Sequence, residues 1–167
     1  MADRIKEKEF LEKKIKPELQ EIIKNIEIEE RNKGKLSEMG ECVEFFIEEK
    51  MLSEICGVAM TNRPHGLLFL SIKFAMYIIK VIKSTDILVL SENHQALFQL
   101  LQFIYNSLKN EMDVMKEMTR DDKKILLDFL MQLTIKITYD SPHIAEMLLA
   151  DQTAQSRKEK RFDYVPL

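Results

Sequence analysis

The sequence predicts an all-α protein, and three observations lead to that class. Helix-favouring Leu, Ile, Met, Lys and Glu are frequent, whereas the chain holds only 4 Gly, 4 Pro and no Trp, so residues that build hairpin turns are scarce. Apolar residues make up 46% and charged residues 32%, as in a folded protein. One stretch, residues 66–82, is apolar almost throughout. For a chain of 167 residues, we expect one helical domain with its own core.

Residues 1–34 are a charged lead-in with a narrow apolar stripe. Apolar residues recur there at spacings of three or four, as on one face of a helix. The stripe consists of Leu11, Ile15, Leu19, Ile22 and Ile26. Because proline is tolerated in a first turn but kinks a helix interior, Pro17 predicts a short leading helix and a second one that starts near it. We expect a solvated helix that packs by one edge and ends at residues 32–34, since a coiled coil needs more heptads.

Two short helices and a loop are expected next. Ser37 is a suitable N-cap for a helix through CVEFFIEEK, and Ser53 is the expected start of a second short helix that runs to residue 60. The segment TNRPHG is a loop, because Pro64 disfavours helical backbone at the residue before it and Gly66 permits a tight entry into the next helix.

The apolar stretch at residues 66–82 either crosses a membrane or lies inside a protein core. A spanning helix needs about 20 apolar residues, and a central Lys costs about 2.5–3.5 kcal/mol on insertion scales. Lys73 lies near the middle of the stretch, and Lys80 and Lys83 lie at its end. Membrane insertion is therefore the disfavoured alternative. We predict a helix over residues 67–83 that is buried between neighbouring helices, with its Lys ammonium groups at the edge.

The middle of the chain predicts a turn, a long amphipathic helix and a weak segment. Residues 84–86 end the buried helix and offer caps for the short apolar turn ILVL. Ser91 is the expected cap of the next helix, and the polar stretch NEMDVMKEM is a loop or a weak helix. The long helix has a broad apolar face of Leu97, Leu100, Leu101, Ile104 and Leu108, joined by Phe98, Phe103 and Tyr105.

The remaining residues predict two more helices. Thr119 and Asp122 have the spacing of a capping box that launches a helix over residues 125–139. Alternating Thr and Ile at its end admit a strand, but no second strand is available to pair with it, so we expect a helix. Ser141 and Pro142 then predict the start of a helix through HIAEMLLAD.

These expectations divide the chain into three parts. Residues 1–34 are the lead-in, residues 35–150 form an α-helical repeat domain, and residues 151–167 begin with the charged connector DQTAQSRKEKR. Apolar residues return after the connector, so residues 151–167 also hold the expected start of a further repeat. Those residues are Phe162, Tyr164, Val165 and Leu167.

The sequence carries no motif of an enzyme. His65, His94 and His143 are widely separated, and no HExxH is present, so the spacing of a helical metal site is missing. The chain has no GxGxxG, GxxxxGK or GxSxG. The carboxylate pairs Glu48–Glu49 and Asp121–Asp122 are adjacent on predicted helices, so their side chains point about 100° apart and do not converge.

The two cysteines, Cys42 and Cys56, form no CxxC pair and are expected to be reduced and buried. A nucleophilic role for Cys42 with a distant His is the alternative, but a reactive thiolate needs a positive, partly exposed site. We therefore predict no catalytic, metal-binding or cofactor-binding residue, and no cofactor.

The net charge of the chain indicates which partners to expect, and its first residues indicate its cellular location. The net charge is −3 and the two signs are interleaved, so nucleic acid is not expected as the main partner. The opening MADRIKEKEFLEKK has no apolar region of a secretory signal, which favours a cytoplasmic location.

One pattern across these elements resembles a known family. The segment GECVEFFIEEK, a short second helix, the Pro64-His-Gly66 loop and the long apolar helix resemble the amino-terminal region of the Hook-interacting protein (FHIP) family. ILVL and the helix containing His94 follow in the same order, as do SPHIAEMLL and RFDYVPL. The resemblance covers residues 35–167 and is most specific over residues 40–82. The chain has Asn-Arg before the loop proline, where an acidic residue is common in the family.

The resemblance implies a non-enzymatic scaffold. It implies an armadillo- or HEAT-like α-solenoid, of which this chain would form a fragment of about six to eight helices. Family members join Hook proteins and FTS in a cytosolic complex that couples early endosomes to dynein through a small Rab GTPase. We therefore expect Hook, FTS and Rab proteins as partners and peripheral association with vesicles, while no partner-binding residue is implied. The alternative is a generic armadillo- or HEAT-like or helical-bundle regulatory subunit with an unrelated partner.

Overall fold

One buried helix organises the fold, and three other helices pack directly against it. The computed structural model describes residues 2–33, 38–83, 87–137 and 146, and over these residues the protein is helical and contains no strand. The all-α prediction is therefore confirmed. The helices are α1 (Ala2–Phe10), α2 (Lys16–Asn32), α3 (Glu41–Glu48), α4 (Met51–Ala59), α5 (Leu67–Val81), α6 (Ser91–Lys109), α7 (Asp113–Lys116) and α8 (Arg120–Ile135), with a π-helical turn, Leu11–Ile15, between α1 and α2.

Several predicted features lie outside the described residues. They are the N-cap Ser37, the helix end at Gly34, the caps at residues 84–86, the helix start at residues 141–142, and the connector and apolar residues at 151–167.

Helix α5 is the buried centre, as its apolar sequence predicts. It packs against α2, α4 and α8, and α4 in turn packs against α6. The aromatic rings of Phe46 on α3 and Phe74 on α5 lie with their centroids 6.3 Å apart. Lys73 is half-buried, Lys80 and Lys83 are exposed, and the helix ends at Val81, two residues earlier than predicted. Its buried residues are Leu67, Leu68, Phe69, Ser71, Ile72, Phe74, Ala75, Ile78 and Ile79.

The lead-in contains two helices, as Pro17 predicts, and α2 starts at Lys16 directly before the proline. The two helices are joined by the π-helical turn without a break, since the backbone is helical at Ile15 and Lys16. At the π-helical turn the Lys16 N–H donates to the Leu11 carbonyl, and this wider turn places Pro17 in the first turn of α2, where no N–H is needed. Ile26, 2% exposed, joins the same core as α5.

Two predicted helix starts after the lead-in are wrong. Residues 38–40 are not helical, so α3 begins at Glu41 and not after Ser37. Helix α4 begins at Met51 instead of at Ser53, because Lys50 adopts the left-handed conformation (φ 52°) and reverses the chain immediately before it. A single left-handed residue at a non-glycine position leaves little trace in a sequence pattern.

The starts of α6 and α8 also differ from the prediction. Ser91 is the first residue of α6, and Leu90 occupies the cap position without a side-chain hydrogen bond. The Asn93 side chain instead donates to the Ile87 carbonyl at 2.9 Å, which ties the turn at residues 87–90 to the helix. The predicted capping box of α8 is confirmed, but the helix begins directly after Thr119 instead of at residue 125.

The apolar face of α6 is shorter than predicted. Leu97, Leu100 and Ile104 are buried, whereas Tyr105 is 62% and Leu108 46% exposed. Helix α6 has 19 residues and its main partner α4 has 9, so α4 cannot cover the whole length of α6.

A carboxylate of α2 caps α3 across the loop. The Cys42 and Val43 amides donate to the Glu29 carboxylate oxygens at 2.9 and 3.1 Å. Gly40 makes this approach possible, since a Cβ at that position would lie 2.1 Å from Glu29 Cδ. A negative charge at this end also interacts favourably with the helix dipole.

A side chain from the preceding loop caps α5. The Asn62 amide oxygen accepts hydrogen bonds from the backbone N–H groups of Gly66 and Leu68, each at 3.1 Å. Gly66 has a φ of 97°, a conformation that suits glycine, so the loop turns directly into the buried helix. The Arg63–Pro64 peptide bond in this loop is cis.

Glu29 and Gly40 are expected to be energetically coupled. In the wild-type protein, Gly40→Ala displaces the Glu29 carboxylate, so we predict a loss of about 1–2 kcal/mol in unfolding free energy, and a similar loss for Glu29→Ala. In the Glu29→Ala background, Gly40→Ala meets no carboxylate, and its φ of −80° is allowed for Ala. The second substitution is then neutral or stabilises by about 0.4–1 kcal/mol. Urea unfolding of the four proteins tests this cycle, and additive losses would contradict the cap.

Candidate interaction surfaces

The histidines lie on separate elements. His65 is in the exposed loop before α5, where its Nε2 lies 3.6 Å from Glu117 Oε2, and Arg4 pairs with the other oxygen of Glu117 at 3.0 Å. His94 is buried in the first turn of α6 at 4% exposure, and His143 lies outside the described residues. Within the part of the chain that the structure describes, no group of His, Cys, Asp and Glu could hold a metal ion.

The side chains of the adjacent carboxylate pairs do not converge on a shared site. Glu48 ends α3 and Glu49 follows it, both exposed. Asp122 accepts a hydrogen bond from the Thr119 N–H at 3.0 Å in the capping box, while Asp121 is exposed. Each carboxylate therefore has a local structural position at a helix end.

The two cysteines are free thiols in different settings. Cys56 is buried, as expected, and its burial raises the thiol pKa to about 12. Cys42 is only partly buried and lines a cleft of about 310 Å³ between α2 and α3. The pKa of Cys42 is raised above its ordinary value mainly by burial. The Glu29 carboxylate raises it further through its charge and a hydrogen bond, and the charge of Glu41 adds to the effect. The protonated form is therefore favoured at both Cys42 and Cys56, and this opposes a nucleophilic role because the thiolate is the reactive form.

An exposed apolar face lies on α8. Leu126, Phe129 and Leu133 are buried, and α8 packs against α5. The side directed away from that contact carries four more large apolar residues, which we call the α8 outer face. They are Leu127 (65% exposed), Leu130 (39%), Met131 (55%) and Ile135 (44%).

A second surface is a groove of about 350 Å³ between α2 and α5, which we call the α2–α5 groove. Its walls are apolar at the bottom and carry cationic side chains along both helices. The apolar residues are Leu19 and Ile23 on α2 and Leu70, Phe74 and Val81 on α5, and the cationic ones are Lys16, Lys24, Lys73 and Lys80.

The sequence did not identify this groove. The apolar stripe of α2 and Lys73 were both recognised, but the pairing of α2 with α5 is a long-range contact that periodicity does not encode. A partial signal existed, because Lys73, Tyr77 and Lys80 repeat at helical spacing within an otherwise apolar stretch.

No protein-family model matches the chain, and no significant match was found among curated proteins or solved structures. Among the described helices, none is both long enough and apolar enough to span a bilayer. Functional proposals therefore rest on the two surfaces and on the resemblance over residues 35–167.

Alkylation separates the two thiols. At pH 8 we expect iodoacetamide to leave Cys56 unmodified in the native protein and to modify Cys42 slowly, because the thiolate is the reacting form. Glu29→Gln removes a neighbouring negative charge, so the pH midpoint of Cys42 labelling should fall. Mass spectrometry of the labelled peptides measures the labelling rate of each cysteine and the pH midpoint for Cys42. Urea-unfolded protein is the control. Equal native rates for the two thiols would contradict the described burial.

Proposed function

We propose that the protein is a non-enzymatic helical scaffold for protein interactions. The observation that carries this proposal is the α8 outer face, where Leu127 and Met131 remain 65% and 55% exposed on a helix anchored to the buried α5. An apolar face on a firmly packed helix is suited to association, because little ordering entropy is lost when a partner docks.

The chemistry of the described residues supports a role without catalysis. His65, His94, Cys42 and Cys56 lie on different elements, and the pKa values of both thiols are raised. An activated nucleophile needs an adjacent base or a lowered pKa. We therefore place the function in surfaces and not in a reaction centre.

The solenoid architecture is part of the proposal. In a helical-repeat protein each layer covers the previous one, and the last layer has a polar outer side. The α8 outer face is apolar, so α8 has the character of an inner layer. We propose that a partner protein covers this face as a further layer would.

The resemblance supports a more specific proposal. We propose an adaptor of the FHIP type, which acts in the cytoplasm and on early endosomes with Hook, FTS and a small Rab GTPase as partners. Two of the residues that carry the resemblance have defined structural roles, since Gly40 admits the Glu29 cap and Gly66 turns the chain into α5. These two glycines lie at the starts of α3 and α5, two of the helices in the pattern that resembles the family.

Charge on the α8 outer face should weaken partner binding and leave the fold unchanged. Leu127 and Met131 are 65% and 55% exposed, so we predict that Leu127→Lys with Met131→Lys changes the unfolding free energy by at most about 1 kcal/mol. The same substitutions should weaken the retention of cytosolic partners by about tenfold or more, because two cations would be buried against the apolar surface of the partner. The matched control is Tyr105→Lys, which alters a side chain of 62% exposure on α6 and should leave retention unchanged. Affinity capture and differential scanning calorimetry measure the two effects, and equal retention by the α8 variant and the wild type would contradict the docking face.

The adaptor role is tested by affinity capture. The folded, tagged chain should retain Hook, FTS or Rab proteins from cytosol, and purified candidates should then bind it directly in biolayer interferometry. A folded bait that retains none of them would overturn the FHIP-type role. Reproducible and direct binding to a different protein would instead support the regulatory-subunit alternative.

A further inference from the structure

The α2–α5 groove has a charge opposite to that of the whole protein. The chain carries a net charge of −3, yet four Lys residues line the groove and Glu27 is the only carboxylate among the lining residues of the described structure. Glu27 pairs with Arg31 at 3.2 Å. We infer that this groove docks an acidic amphipathic helix of a partner protein. The inference deepens the proposed scaffold role and rests on it.

The dimensions of the groove fit a short helix. The lining residues extend from Lys16 to Glu27 on α2 and from Leu70 to Val81 on α5. Eleven residue steps at 1.5 Å each correspond to about 16 Å, or about three helical turns. A helix of that length presents apolar residues at i, i+3 or i+4, and i+7 to such a groove.

Three of the four groove lysines have no carboxylate partner among the described residues. Lys16 pairs with Glu12 at 3.0 Å, but within residues 2–33, 38–83 and 87–137 no carboxylate pairs with Lys24, Lys73 or Lys80. Lys73 is half-buried and sits between apolar residues of α5. Because a partly desolvated charge is costly unless it is paired, a carboxylate from a partner would stabilise it.

The groove also offers an anchoring side chain. Tyr77 lies between Lys73 and Lys80 along α5 and is 39% exposed, and the neighbouring Phe74 is buried beneath the groove. Tyrosine is a frequent energetic centre of protein interfaces, since it combines a large apolar ring with a hydroxyl group.

The concave shape favours a protein helix over a membrane surface. The apolar residues of the groove lie between two helices instead of protruding from the surface, so lipid headgroups would meet the lysines but acyl chains would not reach the apolar floor. A protruding helix with an apolar ridge and acidic flanks satisfies both parts of the groove.

Peptide display tests the inference. Helix-biased peptides of about four turns are selected on the folded full chain, and the enriched peptides should carry apolar residues at i, i+4 and i+7 with acidic flanks. Fluorescence anisotropy then measures one enriched peptide against variants. We expect Lys24→Glu with Lys80→Glu, and separately Tyr77→Ala, to weaken binding by about tenfold or more.

Controls separate the groove from general charge and from folding. Lys123→Glu with Lys124→Glu changes two exposed lysines on α8 and should alter affinity less than about twofold. A peptide with its flanking Glu residues replaced by Lys should recover binding to the Lys24→Glu, Lys80→Glu variant, a result that a folding defect cannot produce. Unchanged circular dichroism verifies the fold of each variant.

Three outcomes would overturn the inference: no enrichment of acidic peptides, equal binding to wild type and to the groove variant, or binding only to phosphatidylserine-containing vesicles. The affinity capture described above is repeated with the groove variant. If the partners are retained by both proteins, the scaffold role stands and the groove inference fails. If the peptide binds the groove but no cytosolic partner is retained, the groove inference stands and the proposed scaffold role fails.

Discussion

Burial of α5 is the constraint on which the rest of the structure depends. This helix is apolar on almost every side, so it is stable in water only when α2, α4 and α8 cover it together. Each fully buried Leu, Ile or Phe side chain contributes about 1.5–3 kcal/mol relative to its exposed state. The helices that surround α5 are thereby held in fixed positions, and their outward sides become the surfaces available for interaction.

Side chains from distant parts of the chain hold these layers in register. Glu29 caps α3, and the neighbouring Glu30 accepts a hydrogen bond from the Lys83 N–H at 3.0 Å just after α5. The end of α2 therefore connects to the start of one helix and the end of another. Since such bonds fix both position and direction, they give a packed apolar core a single arrangement.

The sequence predicts the parts of this fold that depend on local patterns. The apolar run of α5, the Thr119–Asp122 capping box and the weak helix α7 all follow from residues within one or two turns of each other. The starts of α3 and α4 do not, because they depend on a carboxylate from α2 and on the left-handed Lys50. The α2–α5 groove was missed for the same reason, as it forms only where two helices distant in sequence meet.

The proposed interaction surfaces depend on a rigid interior, and α5 must therefore be rigid. Hydrogen–deuterium exchange of the full chain, read by mass spectrometry, tests this claim most directly. The account predicts that peptides from α5 exchange only through global unfolding and more slowly than peptides from α1, which has no buried residue. Exchange of α5 as fast as that of α1 would show that the helix is not enclosed by its neighbours, and would contradict the account.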